Sequence, residues 1–293
     1  MPASAEVATY YSSFAPPALA PSTRVTVAVP RGDGAGAETW DVEELVAMQF
    51  AYVRALAEDA AGERVQDVVV TVPAFYAQFE RDAIADAVEL AGLRLLALVN
   101  DGAAVAVNYA MTRQFAADAP ERHVVYDAGA GSTRATVVTF SAQSQGKGKK
   151  DPGTLITVNG VGYDRLAGGT ELDRRLREIL VEDFEHKHGV EIREDAKAMM
   201  KLWKEAERLK AILSANNEAS ARVGVSLVTA FSIADCMKKV ESVLNDIDFS
   251  MKVTRQAFES ACADMKNRFV QPIFDALDNA NLTLVCVWLL QRG

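Results

Sequence analysis

Residues that build metal centres and disulfide frameworks are scarce in this sequence. Among 293 residues, only three are cysteine and only three are histidine. The cysteines lack the paired spacing of zinc motifs, and such an odd, sparse set gives no disulfide framework. The sequence therefore argues against a zinc site, and its cysteine usage does not fix the redox compartment. The six residues are Cys236, Cys262, Cys286, His123, His186 and His188.

The sequence also lacks long apolar runs and long basic runs. No stretch approaches the roughly 20 consecutive apolar residues of a membrane-spanning helix. The opening stretch, MPASAEVATYYSSFAPPALAPS, lacks the basic and apolar regions of a signal peptide. We expect residues 1–39 to form a disordered or weakly structured tail. The formal net charge of −9 argues against a general nucleic-acid binder, but is compatible with a local basic cleft for ATP.

What the sequence does have is an alternation of strands and helices over most of its length. Hydrophobic residues make up 49% of the chain, enough for a substantial core, and the length suggests roughly two domains or subdomains. Apolar residues at helical spacing predict helices over 40–61, with Asp41 as N-cap, and over 78–90, ended by Gly92. We also predict strands at 67–73, 93–99, 154–159, 223–228 and 247–253. One further helix is predicted to begin at about 103 and another to end at about 188. The remaining helices are predicted over 194–215, 255–267 and 272–280. The mixture of hairpins and strand–helix alternation indicates an α/β fold.

One stretch, HVVYDAGAGSTRATVVTF at 123–140, combines two β-rich runs with an aspartate, glycines and hydroxyls. Gly129 and Gly131 allow a tight turn and a close approach of a ligand to the backbone. Consecutive amides in such a turn form a concavity that suits phosphate. Asp127 would repel phosphate unless a magnesium ion or a water lies between them. The alternative is an ordinary β-hairpin in which these residues serve only the turn.

Several motifs in one order resemble the ATPase domain of the heat-shock 70-kDa chaperone family. The residues of three stretches, GVGYDR, LAEDAAGERVQDVVVTVP and LSAN, are most similar to the large endoplasmic-reticulum branch, the hypoxia-upregulated 170-kDa type. The resemblance covers about 41–284 and implies a partial actin-like, ribonuclease-H-like fold of two lobes around an ATP cleft. It implies that 40–126 is the remainder of the first lobe and 127–293 the second lobe. The motifs are VVVTVPAFYAQFERDAI, VNDGAAVAVNYA, YDAGAGST, GVGYDRLAGGTELDRRL, EAERLKAILSAN and VTRQAFESACADM.

The resemblance implies catalytic and phosphate-binding roles around the turn. Asp127 would lie near the γ-phosphate and help to order magnesium or the attacking water. Asp101 stands where many relatives carry a glutamate, so it has a shorter reach to a magnesium-bound water. Gly129, Gly131 and Ser132 would form the second phosphate hairpin.

The resemblance also implies an adenosine side and a helix start that binds anions. Glu207, Lys210 and Ser214 would contact ribose and adenine, since their separations keep them on one helix face. Gly168 and Gly169 match the family's glycine pair at a helix N-terminus, which suits anions. Taken without the resemblance, the charged residues could be simply solvated and the glycine pair could be a turn.

Two further residues match an interlobe relay of the family. Pro73 and Arg81 correspond to a proline and an arginine that transmit the nucleotide state between lobes. The alternative for Pro73 is that it only ends a strand.

The sequence departs from the family in ways that predict weak or absent ATP hydrolysis. Nothing before Trp40 resembles the first phosphate hairpin or the catalytic lysine, and LTLVCVWLLQRG lacks the closing adenosine loop. Gly102 replaces a proline, and Ala211 replaces an arginine that stacks on adenine. Arg134 occupies a position that is aspartate in hydrolytically active members. Because phosphoryl transfer depends on positioning and electrostatics, these losses should remove most of the catalysis.

As a whole, the resemblance implies a chaperone nucleotide-binding domain fragment that uses ATP and Mg²⁺ and assists protein folding. Its partners would be a chaperone of the same superfamily, on which it promotes nucleotide exchange, and unfolded clients of the full-length relative. Its address would be the endoplasmic-reticulum lumen. One alternative is a non-enzymatic interaction module that no longer binds nucleotide. Another is a sugar kinase of the same superfamily, which would not account for EAERLKAILSAN or GVGYDRLAGG.

Overall fold

The computed structural model describes residues 20–21, 27–30, 39–142, 153–193, 195–227, 245–284 and 288–291. Most of the N-terminal tail predicted at 1–39 lies outside the described residues, as do residues 143–152. The helices are α1 (Val42–Ala61), α2 (Gln78–Leu90), α3 (Asp101–Ala110), α4 (Gly169–His188), α5 (Ala196–Ala215), α6 (Arg255–Ala261) and α7 (Met265–Asn279). The strands are β1 (Ala20–Pro21), β2 (Val27–Pro30), β3 (Thr39–Asp41), β4 (Asp67–Val72), β5 (Arg94–Asn100), β6 (Glu121–Ala128), β7 (Thr133–Ala142), β8 (Thr154–Asp164), β9 (Glu218–Leu227), β10 (Asn245–Thr254) and β11 (Trp288–Gln291).

The first part of the chain is a small unit in which α1 and α2 pack on the parallel pair β4–β5. Asp41 caps α1, as predicted: its backbone N–H donates to the Glu44 carboxylate at 2.9 Å. Helix α2 has the predicted bounds and is followed by Gly92, whose φ of +72° lies in the left-handed region. Because parallel strands require a crossover, α2 returns the chain from the end of β4 to the start of β5.

The central sheet of the second part has the strand order β11-β6-β7-β8. Strands β6, β7 and β8 are antiparallel neighbours, and β11 adds to β6 in parallel. The last described residues of the chain therefore provide a strand of this sheet. Strand β6 begins at Glu121, so the sheet includes residues before the lobe boundary predicted at 127.

Helix α7 lies directly on β8, and the helix start predicted at 272 is wrong. Residue Pro272 was expected to begin a helix, but α7 begins at Met265 and continues through the proline. A Cβ added at Gly162 would lie 2.1 Å from the Pro272 carbonyl oxygen, so β8 and α7 touch backbone to backbone. Contact with the sheet supports the helix across a residue that would otherwise interrupt it.

The largest hydrophobic core joins α4, α5 and the antiparallel pair β9–β10. Asp195 caps α5 by accepting the backbone N–H groups of Lys197 and Ala198. This core fixes the middle and the C-terminal part of α4 against α5. Its fully buried side chains include Leu176, Leu180, Phe184, Leu202, Leu209 and Phe249.

Helix α3 connects the small first unit to the central sheet. It begins at Asp101, slightly before the predicted start, and its first turn packs against β7. Its buried face meets Phe115, Val138 and Phe140 in a second core cluster. The end of β5 is thereby brought next to the β6–β7 turn.

Candidate functional site

The β6–β7 turn is held by its own backbone and by the first residues of α4. The Gly129 N–H donates to the Ser132 carbonyl at 2.9 Å, which closes the turn. The Gly169 N–H donates to the Gly129 carbonyl at 3.1 Å, and the Thr170 N–H donates to the Ala130 carbonyl at 2.8 Å. The first amides of α4 therefore bind the turn. Direct binding of an anion by this helix start stays a prediction.

The glycines of this region differ in their surroundings. A Cβ at Gly168 would lie 2.2 Å from the Ala130 carbonyl oxygen, whereas no described atom lies within 4 Å of a Cβ at Gly131. Gly168 is thus required for the contact between the turn and α4. Gly131 faces the open side of the turn and is exposed.

Lys210 joins helix α5 to the same place. Its Nζ donates to the Gly169 carbonyl at 3.1 Å and to Asp173 Oδ2 at 2.6 Å. Burial raises the pKa of Asp173 above its usual range, and this outweighs the opposing effect of the Lys210 hydrogen bond. Asp173 Oδ1 is buried and accepts no hydrogen bond from the described residues. The β6–β7 turn and the predicted adenosine-side helix therefore both contact Gly169.

Glu207 and Ser214 lie on α5 beside Lys210, and both are exposed. Glu207 accepts a hydrogen bond from the Trp203 indole at 2.9 Å, and the Ser214 hydroxyl donates to the Ala211 carbonyl at 2.7 Å. The structure thus brings Lys210 to the turn. It leaves the other two on the solvent-facing part of the same helix.

Asp101 and Asp127 are joined by one arginine. Arg134 lies opposite Asp127 in the β6–β7 pair and donates from Nη2 to Asp127 Oδ2 at 2.6 Å. Its other terminal nitrogen, Nη1, donates to Asp101 Oδ2. The second oxygen of Asp101 accepts the Gly102 N–H at 2.7 Å. Both predicted catalytic carboxylates are therefore paired with the same guanidinium.

Pro73 and Arg81 belong to a connected set of contacts that reaches Asp101. The Tyr76 N–H donates to the Pro73 carbonyl at 3.1 Å, and Arg81 Nε donates to the Tyr76 carbonyl at 3.0 Å. Arg81 Nη2 also donates to Asn100 Oδ1 at 2.9 Å. Since Asn100 directly precedes Asp101, the contacts continue from α2 to the carboxylate that Arg134 binds. An interlobe relay through them stays a prediction.

Comparison with known proteins decides the family. The family model described as Hsp70 protein matches residues 21–287, which is most of the chain. The chain belongs to the Hsp70 family. The resemblance expected from the sequence motifs, including the hypoxia-upregulated branch, is confirmed. The mixed α/β architecture agrees with part of the two-lobe actin-like ATPase fold of Hsp70 proteins.

Three similar relatives illustrate the match. Hypoxia up-regulated protein 1 of Xenopus laevis is 43% identical over 84% of this Hsp70-family chain, and that of Mus musculus is 39% identical over 83%. Heat shock protein 70 homolog lhs1 of Schizosaccharomyces pombe is 36% identical over 84% of the chain. The matches cover 36%, 23% and 27% of these relatives, respectively, so the chain spans about a quarter to a third of their length.

A bridge between the first unit and the central sheet was not expected from the sequence of this Hsp70-family chain. Arg165, in the loop after β8, forms an ion pair with Glu80 of α2. The same guanidinium lies 4.7 Å from the centre of the Phe75 ring, and that ring packs 5.1 Å from Tyr163. These four residues tie the start of α2 to the segment that leads into α4.

Two other features of this Hsp70-family site were missed by sequence reasoning. Asp173 was not singled out, although an acidic residue one helical turn after Gly169 on an otherwise buried face is a usable signal. Arg134 was noted as a departure, but its pairing with two carboxylates depends on α3 lying against β7, which no local pattern shows.

Among the described residues, no helix is both long enough and apolar enough to cross a membrane.

Proposed function

We propose that this chain is the nucleotide-binding domain of a chaperone that binds ATP and promotes nucleotide exchange on a partner chaperone of the same superfamily. The observation that carries the proposal is the meeting of the phosphate turn with Lys210 at Gly169. A backbone turn for phosphate and a lysine beside it are the elements that a nucleotide site requires.

This proposal keeps the predicted roles of the turn residues and of Glu207 and Ser214, and it moves Lys210 from the adenosine side to the phosphates. Gly129, Gly131 and Ser132 present their backbone to the phosphates, and Lys210 supplies positive charge next to them. Glu207 and Ser214 offer an exposed polar face of α5 to the ribose and adenine. The names of the relatives associate them with hypoxia and heat shock. We propose that this chain likewise acts in the stress-related folding of client proteins in the endoplasmic-reticulum lumen.

We further propose that hydrolysis is weak or absent. A carboxylate that orders an attacking water needs an oxygen directed at that water. Here one oxygen each of Asp101 and Asp127 accepts a hydrogen bond from Arg134. The pairing occupies an oxygen of each carboxylate that would otherwise be available to a water. The function would then rest on binding and exchange of nucleotide.

The proposal is tested by calorimetric titration of ATP into the wild type, Lys210→Met and a control, Lys204→Met. Lys204 is an exposed lysine of the same helix. Loss of the Lys210 charge should weaken ATP binding by about tenfold or more, because a hydrogen bond to a charged group contributes about 1.5–3 kcal/mol. The control should match the wild type.

Since Lys210 also pairs with buried Asp173, a double variant Lys210→Met/Asp173→Asn removes both charges and separates affinity from folding. Equal ATP affinity in all four proteins would contradict the proposal.

The second candidate is an interaction module that binds no nucleotide. One observation favours it: Lys210 and the first amides of α4 already have partners within the chain. This candidate predicts no heat on ATP addition together with retained binding to a purified Hsp70 chaperone, and the same titration separates the two.

A further inference from the structure

The carboxylates at the phosphate turn do not fit the magnesium ion that the Hsp70 family would place there. Magnesium is bound through carboxylate oxygens and waters in strict octahedral geometry. Here Arg134 donates hydrogen bonds to Asp101 Oδ2 and Asp127 Oδ2, and the Gly102 N–H donates to Asp101 Oδ1.

A positive charge already occupies the position between the two carboxylates. The side chains of Asp101 and Asp127 are 20% and 29% exposed, and that of Arg134 is 18% exposed, so water screens their charges only in part. Two carboxylates and one guanidinium leave a single net negative charge. A guanidinium carries no acceptor atom and stays protonated, so it repels a cation at every ordinary pH.

The guanidinium faces the turn. A Cβ at Gly129 would lie 3.9 Å from Arg134 Nη2, so this nitrogen is next to the turn backbone. Each terminal nitrogen of arginine carries two hydrogens, and here one hydrogen of each is given to a carboxylate. The fork of the guanidinium matches phosphate oxygens in two-point contacts.

We infer that Arg134 takes the place of the divalent cation, so that this site binds the phosphates of a metal-free nucleotide. Asp101 and Asp127 act as positioning residues that hold the guanidinium against the turn. The identity of the ligand rests on the proposed function, whereas the exclusion of the cation rests only on the Arg134 contacts.

The first experiment measures cation binding without nucleotide. Mn²⁺ is titrated into the wild type, Arg134→Met and Arg175→Met, and bound Mn²⁺ is counted by electron paramagnetic resonance. Arg175 is a matched control, since it is 17% exposed and also bridges two carboxylates, Glu171 and Asp264. Arg134→Met should gain one Mn²⁺ site over the wild type, because it frees two neighbouring carboxylates. Arg175→Met should gain none, because Glu171 stays paired with Arg174 and only Asp264 is freed.

The second experiment titrates ATP in excess Mg²⁺ and in EDTA. Wild-type affinity should be equal, within about threefold, in the two buffers, a difference below 1 kcal/mol. Arg134→Met should lose about tenfold or more in EDTA and recover in Mg²⁺. If ATP fails to bind the wild type in both buffers, the proposed function and the nucleotide half of the inference are overturned, while the Mn²⁺ counts still decide cation exclusion.

A third variant covers the case in which Arg134→Met does not fold. Arg134→Lys keeps the positive charge and should bind no more Mn²⁺ than the wild type. An Mn²⁺ site in wild-type protein that competes with Mg²⁺ and is lost in Asp127→Asn, or ATP binding by the wild type that requires Mg²⁺, would overturn the inference.

Discussion

At the scale of single residues, Gly168 and Gly131 lie in one site, but a side chain at each would meet very different surroundings. We expect Gly168→Ala to destabilise the fold by about 2 kcal/mol or more, because its methyl group would overlap the Ala130 carbonyl and push the turn away from α4. Gly131→Ala should change the free energy of unfolding by less than about 0.5 kcal/mol. Urea denaturation of the two variants and the wild type measures both values.

ATP titration of the same pair adds a functional comparison. Gly131→Ala keeps the fold, so any loss of affinity there reports on close approach of a ligand to the turn. Similar unfolding free energies for the two variants would mean that the turn does not rest on α4 as described.

The site residues differ in how far the sequence alone could locate them. The turn follows from its local pattern of two strands joined by glycines, and Lys210 follows from the resemblance to the family. Asp173 and the double pairing of Arg134 depend on side-chain packing between segments that are remote in sequence. No local pattern carries that information, so they emerge only from the three-dimensional arrangement.

At the scale of elements, the loop that leads into α4 depends on one carboxylate. Asp164 Oδ1 accepts the N–H groups of Leu166 and Ala167, and both Asp164 oxygens bind Arg268. Burial alone would raise the pKa of Asp164, but the hydrogen bonds from Arg268 and the backbone hold it below its usual range. The loop is therefore fixed by an ionised group.

This lowered pKa predicts acid sensitivity. The group is ionised more readily in the folded state, so its stabilising contribution is complete above the unfolded pKa, about pH 4. The contribution is lost as the pH falls through the lower folded value. Urea midpoints measured from pH 6 to pH 2.5 should fall less steeply for Asp164→Asn than for the wild type. If the urea midpoints of the two proteins fall equally with pH, ionised Asp164 does not contribute to the acid sensitivity.

Element boundaries show the same division between local and tertiary causes. Helix α2 matches its predicted bounds, because apolar spacing and Gly92 define it within the segment itself. Helix α7 does not, since it continues through Pro272, whose carbonyl lies against β8. Sequence patterns thus locate helices whose ends have local causes and misplace those whose ends are set by packing.

At the scale of the whole molecule, the Arg165 bridge connects the first unit to the segment before α4. Arg165→Ala removes the ion pair with Glu80 and the contact with the Phe75 ring, which together should contribute about 1 kcal/mol. Hydrogen exchange in α2 should accelerate, while the α4–α5 core stays protected.

The control for this prediction is Arg94→Ala. Arg94 pairs with Asp67 inside the first unit, and its side chain is 71% exposed, so its removal should have little effect on exchange. Equal exchange rates in α2 for the Arg165 variant and the control would show that the bridge does not couple the two parts.

The parallel pairing of β11 with β6 has a consequence for the order of folding. Trp288 pairs with His123, although nearly all of the second part of the chain lies between them in sequence. During synthesis β6 leaves the ribosome long before its neighbour exists, with one row of backbone N–H and C=O groups still unpaired. Such an edge is a template for other extended chains. We therefore expect this edge of β6 to be open to pairing with other chains until β11 has been made.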